Sequence, residues 1–175
     1  MTALEKLQKI FHVFRVLAKA AMILCFAAAG LAVAALVCLL IWKNGTALYL
    51  DGRFVAVSGV AEVHAGICAL LSAAVMTLTD GVLFLFAWQY LKAEEAAGTP
   101  FTVSGADTVK KLGIRIIVLP LVAVIISAVI YGCFGLTPDV DISSGGCVIT
   151  GGVLILVSLI FRYGAELEAA GHEQI

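Results

Sequence analysis

Apolar residues fall in four long runs along the chain, and the charges between them mark where each run meets water. The second run is the most informative. From Ala65 to Trp88 there are 24 residues with one charge, Asp80, and about 20 apolar residues suffice to carry a helix across ~30 Å of hydrocarbon. The pattern predicts a transmembrane helix over about 65–90. Asp80 precedes Lys92 by 12 residues, which puts it roughly 18 Å above that lysine, near mid-bilayer. A carboxylate at that depth costs on the order of 2.5–3.5 kcal/mol, so it is expected to face protein or water.

The other runs predict spans over about 16–42, 114–134 and 146–163. The first contains only Lys19, close enough to its end to snorkel. Ala28 with Ala32, and Gly30 with Ala34, have the small-xxx-small spacing that lets helices approach closely. Packing within one bundle is the first expectation for this stripe; dimerisation is the second. Ahead of the span, Thr2-x-x-Glu5 is a capping pattern, and Leu4, Leu7, Ile10, Phe11 and Phe14 make an apolar stripe. An interfacial helix over 2–14 is expected, with His12 on its wet side. The apolar run that follows is too long for a signal peptide, so the first span should remain as an anchor.

Between the first two spans, TALYLDGRFVAV reads as two short strands about an Asp51-Gly52 turn, with Tyr49 facing Phe54. Such a hairpin is marginal alone and should lean on the helix ends. After the second span a cytoplasmic loop is expected over 91–113. Gly98 and Pro100 stop the helix there, and Ser104-x-x-Asp107 caps a short amphipathic one. Pro120 removes an amide in the third span and predicts a kink. The expected fold is all-α: a single membrane domain over 1–175, an integral four-helix bundle with a short extracytoplasmic β-hairpin.

Charge sets the orientation. Lys6, Lys9, Arg15, Lys19, Lys92, Lys110, Lys111, Arg115 and Arg162 fall on one side, and only Lys43 and Arg53 on the other. The positive-inside rule then puts both termini in the cytoplasm, and the hairpin and the loop that carries Asp139 outside. Composition agrees with residence in a cell membrane: 62% of residues are hydrophobic and 13% charged, more apolar side chain than one water-soluble core would bury. Nucleic-acid contact is not indicated, and lipid is the one certain surrounding.

Few residues carry chemistry. Asp80, with Thr77 one turn back and Ser127 and Ser158 on the later spans, is the candidate intramembrane polar site. It reads either as a proton or cation site, or as a neutral structural carboxyl bonded to Thr77 or a neighbouring hydroxyl. Glu62 and His64 at the outer mouth make an incomplete ligand pair, and a solvated helix end is the plainer reading. The cysteines form no CxxC pair; Cys133 and Cys147 flank one loop and could be bridged, with two thiols the first expectation. No phosphate loop, zinc motif or serine nucleophile motif occurs, so neither an enzyme nor a cofactor is expected.

A shift of 73 residues aligns the inner ends of the second and fourth runs, with eight identities in 24 positions. It suggests a duplicated helical hairpin, with the two repeats parallel. The segment AGTPFT leading to KKLG, together with a last run ending IFRYGAELE, resembles the bacterial membrane family labelled domain of unknown function 2975. The resemblance implies a four-span bacterial inner-membrane protein and a cytoplasmic partner of the helix-turn-helix regulator type. It points to Gly98, Thr99, Pro100, Phe101, Thr102, Arg162, Tyr163 and Glu166 as a cytoplasmic interaction motif. The family's acidic tail is shortened here to EAAGHEQI. A regulator protein and a second copy of the chain are the partners left open; a small proton- or cation-coupled transporter using Asp80 is the alternative function.

The orientation is open to test with single cysteines at Asp51 and Asp139, in a chain stripped of its native cysteines. A membrane-impermeant maleimide is expected to label both from outside. Labelling only after permeabilisation would overturn it.

Overall fold

A peptide group in hydrocarbon has no water to bond, so an apolar run long enough to cross must close its hydrogen bonds along itself, as a helix. The computed structural model describes residues 3–41, 46–50, 53–57, 60–97, 103–137 and 145–172. Its elements are α1 (Ala3–Ile41), β1 (Thr46–Leu50), β2 (Arg53–Val57), α2 (Val60–Ala97), α3 (Val103–Cys133) and α4 (Gly145–His172). Three stretches are long and apolar enough to cross a membrane: Lys9–Ile41, Val63–Glu95 and Gly105–Cys133. The apolar stretch of α4, Val148–Gly164, is shorter.

The strands pair antiparallel with Tyr49 opposite Phe54, and both touch α2. That is the expected register and the expected support. At the far end of α3, Gly135 adopts φ 67°, Leu136 N–H donates to Tyr131 O at 3.0 Å, and Gly135 N–H donates to Gly132 O at 3.1 Å. This is a Schellman stop, in which a residue without a Cβ takes the left-handed position.

Two expectations about helix limits are corrected. The separate interfacial helix over 2–14 does not exist: α1 is one helix of 39 residues, about 58 Å at 1.5 Å per residue. Nothing between Phe14 and Val16 breaks it, since neither Gly nor Pro intervenes. The other concerns the third span: α2 ends at Ala97 and α3 begins at Val103, beside the expected stop at Gly98 and the expected start at Ser104, but α3 then runs unbroken into the span instead of forming a short helix of its own. Pro120 also lies inside α3, which runs on to Cys133.

The helices lie in sequence order, α1 on α2, α2 on α3 and α3 on α4. Among the described residues no other helix pair makes more than a fringe contact. The bundle is an open row of two hairpins joined through α2 and α3. Its core is thin and made of small side chains: Ala18, Ala29, Cys68, Ala106, Val109 and Ala123 are buried. Lipid is as apolar as leucine, so close packing rather than water exclusion holds such helices together.

The tightest packing is between α3 and α4. A Cβ on Gly113 would stand 2.9 Å from Gly151 O, and one on Gly151 would stand 2.7 Å from Gly113 O and collide with Ile117. Gly113 also meets Ile155. These contacts fix the register, and they correct one reading: Gly145 at the start of α4 comes level with roughly residue 123 of α3, so α4 is displaced toward the basic end and does not run beside α3 as a matched fourth span. The first hairpin seats Phe26 on Gly81. The Ala28–Ala32 and Gly30–Ala34 stripes are not used in the row either. Ala28, Gly30 and Ala34 are exposed, and a Cβ on Gly30 would meet nothing within 4 Å.

Gly151→Ala is expected to destabilise the protein in detergent by about 1–3 kcal/mol through overpacking. Gly152→Ala has open space and should gain up to about 1 kcal/mol in helix propensity. Thermal unfolding of the two variants checks this; equal melting temperatures would mean that the glycine contact does not hold the hairpin.

Candidate functional site

Aromatic and basic side chains meet at the basic end of the candidate spans. Lys92 Nζ stands 5.5 Å from the centroid of Trp88, and the Arg115 guanidinium of α3 lies 3.9 Å from that of Phe86. Both are cation–π contacts, and rings with basic partners are the usual furnishing of a bilayer surface. Beyond this level α1 and α2 continue as helix. Their overhang is tied by charge: Arg15 Nη1 meets Glu95 Oε2 at 2.7 Å, and His12 Nδ1 lies 3.3 Å from Glu95 Oε1 and 3.5 Å from Arg15 Nη2. With a proton on Nδ1 the imidazole donates to Glu95; without one it accepts from Arg15. His12 was expected on the wet side. It is exposed, yet it belongs to this cluster.

Glu94, next along α2, points another way. It is 6% exposed and its Oε2 has no hydrogen-bond partner. Neither glutamate stood out in the sequence beyond a matched position in the repeat. The available signal was geometric: in an antiparallel hairpin, an arginine just before the first span and an acid about one turn after the second come level.

The candidate intramembrane site does not assemble. Asp80 is exposed on the face of the row, within electrostatic range of Cys25 on α1, and makes no hydrogen bond or ion pair among the described residues. Thr77 donates instead to the carbonyls of Ala73 at 2.8 Å and Ala74 at 3.3 Å, satisfying itself within α2. Ser158 likewise donates to Ile155 O at 2.7 Å. Ser127 is 1% exposed with its hydroxyl unpartnered. Counting from the Arg115–Phe86 contact, Ser127 stands about 9 Å outward of Asp80. The α3–α4 register then carries Ser158 about 25 Å inward of Ser127.

At the other end, exposed His64 sets its ring 5.4 Å from that of Phe134, tilted by 50°. Cys133 is exposed and within electrostatic range of buried Cys68, and the side chain of Cys147, its expected alternative partner, lies outside the described residues. Of the motif residues, 98–102 and the side chain of Glu166 lie outside the described residues. Arg162 and Tyr163 are exposed on α4. They continue a stripe that sequence reading missed: Leu156, Leu159, Ile160 and Tyr163 are 62%, 52%, 67% and 66% exposed and share one helix face. Since Ile155 packs at Gly113, level with Trp88, this stripe lies at and beyond the Trp88 level on the basic side.

No family model, curated protein or solved structure matches the chain.

Side chains of Arg15 and Glu95 are 30% and 26% exposed, so their pair should contribute about 0.5–1 kcal/mol. A double-mutant cycle of Arg15→Ala and Glu95→Ala, read by unfolding in detergent, is expected to return that coupling and to lose part of it at high salt. Strict additivity would show that the cluster does not tie the helices.

Proposed function

We propose that this chain is a non-enzymatic, multi-pass protein of a bacterial inner membrane that holds or senses a cytoplasmic protein partner. The observation that supports the reading is the exposed apolar stripe of Leu156, Leu159, Ile160 and Tyr163 at the basic end of α4, which on this reading stands clear of hydrocarbon. Apolar residues at i, i+3, i+4 and i+7 are the anchors by which a helix seats in a partner's groove. The neighbouring helices supply stiffness. With α1 and α2 extended past the Trp88 level and tied by Arg15 and Glu95, a docked partner would be held at a set distance from the bilayer.

The positive-inside rule supports placing this end, with both termini, in the cytoplasm. The likeness of AGTPFT and IFRYGAELE to the family labelled domain of unknown function 2975 favours a helix-turn-helix regulator as the partner. In that arrangement the regulator touches nucleic acid and this chain does not.

A second reading, a small transporter or channel, rests on Asp80. Its support is the carboxyl's depth and its want of a partner among the described residues; against it stands the distance to Ser127 and Ser158, since a conducting path needs more than one polar ring. Liposome flux that is present in the wild type and abolished by Asp80→Asn, with the fold intact, would establish it.

For the favoured reading, crosslinking in native membranes is the deciding measurement. A discrete partner should be recovered with the wild type and lost at least tenfold with Ile160→Asp or Tyr163→Ala, at unchanged membrane level of the protein. Equal recovery with both variants would sink the proposal.

A further inference from the structure

On one face of the α1–α2 pair, Phe26, Gly30 and Val33 of α1 and Leu71, Ala74 and Leu78 of α2 wall an apolar groove of about 440 Å³. Gly30 leaves it open, since a side chain there would meet nothing. Lys19 precedes Phe26 by seven residues, close to two full helical turns, so it stands on the groove side nearer the basic end. Lys92 follows Leu78 by 14 residues, about four turns, on the matching side of α2. Both ammonium groups are exposed and neither has a carboxylate partner among the described residues, whereas Arg15 is engaged by Glu95. The register set by Phe26 on Gly81 and Arg15 on Glu95 brings Lys19 level with the Trp88–Lys92 turn. From that level to Gly30 is about 16 Å, roughly half the ~30 Å hydrocarbon thickness and so the reach of one leaflet's acyl chains.

We propose that this groove binds an anionic phospholipid of the leaflet at the basic end, one acyl chain lying along Gly30 and Ala74 and the phosphate between Lys19 and Lys92. Charge complementarity selects the occupant. An anionic headgroup would answer both lysines, and its tail would fill the groove at the right depth. Trp88, already beneath Lys92, sits at the level of the glycerol backbone. The site requires only that the helices cross the bilayer, so it stands apart from the partner-docking reading.

Native mass spectrometry of the full-length protein in detergent, with dioleoyl phosphatidylglycerol or dioleoyl phosphatidylcholine added, is the test. The wild type should retain phosphatidylglycerol about tenfold better. Lys19→Gln and Lys92→Gln should each weaken that lipid roughly fivefold and leave phosphatidylcholine unchanged. Gly30→Leu, and Ala74→Leu from the opposite wall, should lower retention of both lipids while circular dichroism and elution volume stay as in the wild type. Equal retention of the two lipids by the wild type overturns the proposal. So does undiminished phosphatidylglycerol binding in both folded groove variants, or a lipid-free dimer closed over the groove.

Discussion

Hydrocarbon offers no partner for a peptide group, and this constraint shapes the rest of the molecule. A helix that must satisfy every amide internally has no reason to stop where its side chains turn polar; it stops where the backbone is given another solution. At Gly135 that solution is a left-handed residue with two reversed hydrogen bonds. At the basic end of α1 nothing supplies one, and the helix runs on through His12 and Arg15. The overhang is thus a consequence of unbroken hydrogen bonding, and the Arg15–Glu95 pair uses a helix that already exists rather than creating it.

Legibility follows the same line. Helix identity, the two strands and the register of Tyr49 opposite Phe54 were readable, because apolar run length, period-two alternation and a Gly turn act locally. Amphipathicity misled at 2–14: the stripe from Leu4 to Phe14 describes which side faces water, and says nothing about whether the axis bends. The register of α4 was not readable for another reason. Gly113 and Gly151 are two glycines among 17, and only their meeting reveals that they set the depth of a helix. The small-residue stripe of α1 shows the reverse failure. Its spacing was right for close approach, yet α2 packs beside it, on Ala18, Ala29 and Phe26.

Polar groups in the spans show how differently hydroxyls and carboxyls behave in this setting. Thr77, Thr79 and Ser158 each donate to a carbonyl of their own helix, at 2.8, 2.8 and 2.7 Å, so a hydroxyl can be placed at any depth without a partner helix. An ionised carboxylate only accepts, and every amide of a helix interior is already engaged. As a carboxylate Asp80 depends on something outside its own helix in a way that Thr77 does not; as a neutral acid it has an O–H to donate, as Thr77 has. That dependence on its proton, more than depth, is what singles it out among the polar residues of α2.

The open row gives the molecule two flat faces and one heavily built end, and these divide its contacts by chemistry. Lipid can cover the faces at little cost, because the walls between Phe26 and Leu78 are apolar. The Gly113–Gly151 contact shifts Leu156 to Tyr163 to the Trp88 level and beyond, toward the basic end. Had α4 paired with α3 level by level, the same stripe would sit deeper in the row. Two missing side chains thus decide how far along the row this helix surface stands. The argument for a protein partner depends on that displacement, and not on the stripe's hydrophobicity alone.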